Sequence, residues 1–175
     1  MKETRICIIG GGSRLWAIQL FKDLAYNKMT NGTVVLYDID HKAAMNNVAV
    51  GEQTFRVNDS VGRFKFIAED NLEKALQGVD LVIISIEPGN IECRKGDLLL
   101  PEEYGILESV GDTTGPGGIM RARRALPFFF EFARTIKKVR PDAWVINYTN
   151  HMTICTEAHY KAFPGIQALG CCHAV

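Results

Sequence analysis

Arg5-Ile6-Cys7-Ile8-Ile9-Gly10-Gly11-Gly12-Ser13-Arg14-Leu15-Trp16 is the stretch on which the reading of this chain turns. Arg5 to Ile9 is a short apolar run that stops at three glycines, the pattern of a buried strand. From Ser13 to Asn27 the apolar residues Leu15, Ile18, Leu20, Phe21, Leu24 and Ala25 fall at helical spacing. A strand, a glycine turn and a helix in that order aim backbone N–H groups and the positive helix end at an anion. Gly10 and Gly12 match the first two glycines of G-x-G-x-x-G, while the third position falls on Leu15, so the match is partial. Taken alone, Gly10, Gly11, Gly12 and Ser13 could equally be a tight strand-to-helix turn.

Reading outward, Thr33 to Tyr37 is a second strand, and Asp38 follows it about 26 residues past Gly12, against ~20 in the usual dinucleotide pattern. A carboxylate there accepts both ribose hydroxyls and repels a 2′-phosphate, which favours NAD over NADP. The plainer reading of Asp38 is a turn residue, with Asp40 as N-cap of the helix that follows. Strand and helix patterns then alternate. Helices are expected over His41–Val57, Asn71–Gln77, about Glu92–Tyr104, Ala125–Val139 and Met152–Phe163. Strands are expected over Phe64–Ala68, Val79–Ile86, Trp144–Tyr148 and Gln167–Gly170. This predicts an α/β fold: a doubly wound parallel sheet of Rossmann type, with strand order 3-2-1-4-5-6.

Composition agrees with a globular domain. The chain has 175 residues, 47% hydrophobic and 23% charged, with 20 basic and 20 acidic side chains that cancel. Such a balance gives no reason to expect nucleic acid or an anionic membrane as a partner. No apolar run is long enough for a transmembrane helix. Five cysteines without regular spacing argue against a disulfide framework and for a reducing, cytoplasmic setting.

In doubly wound sheets ligands sit at the carboxyl ends of strands, so the residues just after each strand carry the chemistry. A long polar segment runs from Glu87 to Gly118 and includes Gly111-Asp112-Thr113-Thr114-Gly115-Pro116-Gly117-Gly118. Asp112 could reach a substrate or nicotinamide from it, or the glycines could simply cap the next helix. Asn147 and Asn150 follow the fifth strand, and a carboxamide can both donate to and accept from a sugar hydroxyl. An Asx-turn is the ordinary alternative. Cys172 and His173 follow the sixth strand; thiolate and imidazole suit a divalent transition metal. No second Cys/His cluster completes a structural zinc site. Cys171, facing away along the strand, reads as a small packed hydrophobe.

Gly10-Gly11-Gly12-Ser13, the stretch Asp112 to Gly118, Asn147-Tyr148-Thr149-Asn150 and Cys172-His173-Ala174-Val175 occur in the order and spacing of glycoside hydrolase family 4. The chain resembles that family along its whole length. Gly10 to Asp23 and Gly170 to His173 are most similar to its α-galacturonidase-like members. The resemblance implies oxidation at C3 of the sugar by bound NAD, loss of the acidified C2 proton, departure of the glycosidic oxygen, then addition of water and return of hydride. A divalent metal, Mn²⁺ in most of the family, would act as Lewis acid on the sugar oxygens. By the same resemblance Cys172 is a metal ligand and Asn150 holds substrate, with Asn147 a second polar group. His173 stands where phospho-α-glucosidases carry an acid, which points to an unphosphorylated α-glycoside.

Two departures from the pattern bear on the site. His151 stands where the family has proline, and either has no role or reaches the metal pocket. The family's second domain supplies a further metal-binding His and a Tyr base, and neither position occurs in these residues. The chain is therefore expected to be the NAD-binding front part of a larger enzyme, inactive alone, with a homo-oligomer expected for the complete protein. Two other readings of the same residues are a lactate/malate-type 2-hydroxy-acid dehydrogenase, with Arg121 or Arg124 gripping a carboxylate, and a non-catalytic NAD-binding domain.

Overall fold

The structure, a computed structural model, describes residues 3–56, 60–108 and 113–172. Among these residues, six parallel strands form one sheet: β1 (Glu3–Ile9), β2 (Asn31–Tyr37), β3 (Phe64–Glu69), β4 (Leu81–Ile84), β5 (Trp144–Asn147) and β6 (Gln167–Gly170). Their order is β3-β2-β1-β4-β5-β6, the doubly wound arrangement expected from the sequence. Register runs Ile6 to Val34 and Leu81, and Ile9 to Tyr37 and Ile84. The helices among the described residues are α1 (Trp16–Ala25), α2 (His41–Thr54), α3 (Leu72–Ala75), α4 (Ile91–Glu102), α5 (Gly115–Val139) and α6 (Met152–Ala162).

Strand alternation divides the core in two. Ile6 and Ile8 point to one face, with Val34, Leu36 and Phe66, against Phe21 and Leu24 of α1 and Ala44 of α2. Cys7 and Ile9 point to the other, with Val35, Val82, Ile84 and Val145, against α3, α5 and α6. Both faces of the central strands are covered, so β1, β2 and β4 read as unbroken apolar runs instead of alternating ones. Phe129 anchors the second face, fully buried, with its ring 5.9 Å from Phe132 and 5.0 Å from His159.

Several boundaries differ from the sequence expectation, and three of them have a plain local reason. The first helix starts at Trp16, not Ser13, because the Ser13 hydroxyl accepts the Trp16 N–H at 3.1 Å and holds the preceding residues in a turn. β4 stops at Ile84, not Ile86: Ser85 still donates to Ile9 O, but the Ile86 N–H turns away to the Thr149 hydroxyl at 3.1 Å. The largest difference is α5, which begins at Gly115, ten residues before the expected Ala125. Its start packs against α4 so closely that a Cβ on Gly117 would lie 2.7 Å from the Asp97 carbonyl, and one on Gly118 2.6 Å from the Thr113 backbone. Glycine is there to permit contact, not to break the helix. The buried set Gly117, Gly118, Arg121, Ala122, Ala125, Phe129, Phe132, Ala133 and Ile136 then runs down one side at helical spacing. No helix of the described residues is long and apolar enough to cross a membrane.

Candidate active site

The carboxyl ends of β1, β2, β4, β5 and β6 open onto one cleft of about 770 Å³. Gly10, Gly12 and Ser13 enter it from β1, Asp38 from β2, Ser85 to Pro88 from β4, Tyr148 to Asn150 from β5, and Cys171 and Cys172 from β6. Of the residues that the sequence placed at strand ends, the parallel topology gathers Gly10, Gly12, Ser13, Asp38, Asn150 and Cys172 here, while Gly11 is buried and does not line the cleft.

The glycine turn is held in shape from three sides. Gly10 has φ +94°, which an L side chain resists, and a Cβ there would lie 2.0 Å from the Ser85 carbonyl. The N–H groups of Gly10 and Gly11 both donate to Tyr37 O at 2.9 Å. Asn47 of α2, buried, donates from its carboxamide to Gly11 O at 2.8 Å and to Ser13 O at 2.9 Å. Sequence reasoning did not select Asn47; an asparagine inside a helix gives no local signal, and its role follows only from the packing of α2 beside the turn.

Asp38 accepts from the Gly12 N–H through one carboxylate oxygen and from the Asp40 N–H through the other, both at 2.9 Å. It thus acts as the turn residue weighed in the sequence, while an ionised carboxylate with about four acceptor sites keeps capacity for a diol. Asp40 accepts from Ala43 N–H at 3.0 Å and caps α2, as expected. The turn, the carboxylate and the cleft fit a nicotinamide dinucleotide: the backbone approaches without a Cβ, and Asp38 stands at the end of β2.

The far side of the cleft separates the two asparagines. Asn150 is exposed and lines it. Asn147 is fully buried and does not: its oxygen accepts the Thr149 N–H at 2.9 Å, and its nitrogen donates to Met152 O and the Thr156 hydroxyl at 3.3 Å. This is the Asx-turn that the sequence left open, with the side chain spent on shaping the loop that presents Asn150.

Cys172 is exposed in the cleft, as a metal-binding thiol needs to be. Among the described residues no group of three His, Cys, Asp or Glu surrounds it, so these residues offer one donor and not a full coordination set. Cys171 departs from expectation. The strand ends at Gly170, and Cys171 is half-buried and also lines the cleft, as does Tyr148. Burial, then this thiol, raises the Tyr148 pKa. Asp112 and His173 lie outside the described residues.

His151 does not enter the cleft. It is buried behind Asn150 with φ +65°, a left-handed backbone that proline's ring forbids. Burial, then the neighbouring Arg121 charge, lowers its pKa to about 4, so the ring is neutral. Arg121 itself is buried and pairs with Glu87, whose half-exposed carboxylate lines the cleft. One turn on, Arg124 grips Asp97 through both carboxylate oxygens. These two arginines, each a possible carboxylate grip for a substrate in the dehydrogenase reading, hold carboxylates of the chain instead.

A Rossmann-type fold with a glycine turn and a β2 carboxylate at one cleft defines a nucleotide-binding α/β domain. The sequence model for the family 4 glycosyl hydrolases matches residues 5–175, and the chain belongs to that family. It is 49% identical over 175 residues to an alpha-galacturonidase of Bacillus subtilis, covering all of this chain and 38% of that one. Similarity to the alpha-galacturonidase of Thermoanaerobacterium saccharolyticum is 51% over 173 residues, 99% of this chain and 37% of the relative. The chain thus spans little more than a third of the relatives it matches. Among solved structures, a Bacillus subtilis protein described as a glucosidase, lplD, superposes with a TM-score of 0.92 at 48% identity over 99% of this chain and 39% of its own. The 6-phospho-beta glucosidase of Thermotoga maritima, solved with manganese, NAD+ and glucose-6-phosphate, gives 0.82 at 28% over 98% and 40%. Membership in the family sets aside the 2-hydroxy-acid dehydrogenase reading.

Proposed function

We propose that this chain is the NAD-binding part of a glycosidase that cleaves an unphosphorylated α-glycoside by oxidation at C3, deprotonation at C2 and elimination of the aglycone. The observation that carries the proposal is the convergence of the Gly10–Ser13 turn, Asp38, Asn150 and Cys172 on one cleft. The names of its relatives at 49% and 51% identity favour an α-galacturonide as the glycoside. When bound, NAD supplies the hydride acceptor for C3, and a divalent cation, manganese by analogy with the Thermotoga maritima structure, a Lewis acid for the neighbouring oxygens.

The chain's own residues position and exclude. The turn fixed by Asn47 and Tyr37 O presents backbone to the diphosphate, and Asp38 takes the adenosine ribose. Asn150 holds a sugar hydroxyl with its carboxamide. Cys172 contributes a thiolate to the cation, and the complete protein supplies the other ligands and the base. Mechanisms that displace the aglycone with paired carboxylates leave C2 untouched, whereas elimination exchanges its hydrogen. Turnover of an α-galacturonide by the complete protein in D₂O is expected to give product with deuterium at C2. Product carrying only protium at C2 overturns the mechanism.

A further inference from the structure

The cleft's charges are unevenly distributed. Asp38, Asp40, Glu87 and Glu131 line it, and among its described lining residues Arg14 is the single cation. Arg14 is exposed and takes part in none of the ion pairs among the described residues, in contrast to Arg121 and Arg124, which are locked to Glu87 and Asp97. Two residues on, Trp16 stacks on Tyr148 with centroids 6.1 Å apart and planes 22° from parallel. Both rings line the cleft and are partly open to it, Trp16 at 47% and Tyr148 at 40% exposure. Cys171 and Cys172, at the end of the neighbouring strand, line the same cleft. One wall therefore runs from a guanidinium, across an aromatic pair, to the candidate metal thiol.

From this wall we propose that Arg14 binds the carboxylate of an acidic sugar and makes the site select uronides over neutral glycosides, with Trp16 and Tyr148 covering the ring's C–H face. The proposal deepens the glycosidase reading above and rests on it. In a pyranose, C2 and C3 lie across the ring from C5, which carries the exocyclic carbon. A sugar with C2 and C3 toward Cys172 thus turns its exocyclic group along the wall toward Arg14. A guanidinium enclosed by a bound neutral sugar would lose water and gain no anion, which is costly. A carboxylate meets it with two parallel N–H···O bonds. The aromatic pair adds apolar cover that the sugar's C–H groups match and its hydroxyls do not. The competing anion is the cofactor diphosphate, and the test is built to separate the two.

The complete protein, loaded with NAD and manganese, is assayed on 4-nitrophenyl α-D-galacturonide and on 4-nitrophenyl α-D-galactoside, which differ only at the exocyclic carbon. Arg14→Met is expected to lower kcat/KM on the galacturonide by roughly 10- to 100-fold, mainly through KM, and to leave the galactoside within about threefold. Arg14→Lys should recover part of the loss. NAD affinity, read from quenching of tryptophan fluorescence, should not change. Calorimetry of D-galacturonate binding to the NAD-loaded protein gives an arm independent of turnover, and Arg14→Met should weaken it by the same factor. Equal loss on both glycosides together with weaker NAD binding assigns Arg14 to the diphosphate and overturns the proposal, as does unchanged galacturonate binding in Arg14→Met. Failure of the unmodified protein to cleave either glycoside while Arg14→Met still weakens galacturonate binding would sink the glycosidase reading and leave the carboxylate contact standing.

Discussion

At the scale of single residues, the site is shaped by side chains that never touch a ligand. Asn47 is the clearest case. Its carboxamide satisfies two carbonyls of the glycine turn, and its removal leaves Gly11 O and Ser13 O without a donor in a buried setting. Asn47→Ala is expected to destabilise the domain by about 1–3 kcal/mol and to weaken NAD binding, because the turn is no longer pinned. Chemical denaturation and calorimetry on the variant check the two effects; native NAD affinity would show that the turn holds without Asn47. Glycine 10 and Asn47 solve the same problem from opposite sides. One makes room for the chain to turn, the other fixes where it turns.

Among the elements, α5 does the most. It covers the second core face, pairs Arg121 with the cleft carboxylate Glu87 and Arg124 with Asp97 of α4, and meets α4 through Gly117. Phe129 is the side chain that ties it down. Phe129→Ala is expected to cost about 3–5 kcal/mol, the range for a large aromatic lost from a packed core, and thermal or urea denaturation measures it. A cost below 1 kcal/mol would mean that Phe132 and His159 close over the gap. The ion pairs that α5 makes are a separate matter. Arg121 is buried against a half-exposed partner, so its pairing with Glu87 orients a cleft carboxylate more than it stabilises the fold.

On the scale of the whole molecule, two buried histidines make stability depend on pH. Burial lowers His159 to about 4, and burial with Arg121 does the same for His151, against 6.5 for the free side chain. The unfolded chain therefore binds more protons than the folded one between these values. Stability is fully present above pH 6.5 and is lost progressively as pH falls toward 4. Melting temperatures of the protein between pH 7.5 and 4.5 should fall across that window. His159→Leu, which keeps an apolar contact with Phe129, should flatten part of the slope. A melting temperature independent of pH, or an unchanged slope in the variant, contradicts the assignment.

The sequence by itself determined the strands, the order of the sheet, the glycine turn, Asp38 and the cleft end of each strand, because these follow from local periodicity and from the handedness of parallel crossovers. It also placed Asn150 and Cys172 after strand ends, and both line the cleft. Only the tertiary structure decided what depends on neighbours distant in the chain. Gly117 and Gly118 read as loop because glycine disfavours an isolated helix, and their helical role appears only against the Asp97 and Thr113 backbones. Asn147 and Asn150 carry the same side chain three residues apart, yet one is sealed into a turn by Thr149 and Thr156 and the other is left in the cleft. Cys171 and Cys172 were split by strand alternation that ends one residue earlier, at Gly170, so both face the cleft. Arg14, Trp16 and Tyr148 form one wall only because β1 and β5 lie on either side of β4. Local pattern encodes which way a backbone runs; which side chains meet is fixed by packing between segments that the pattern does not relate.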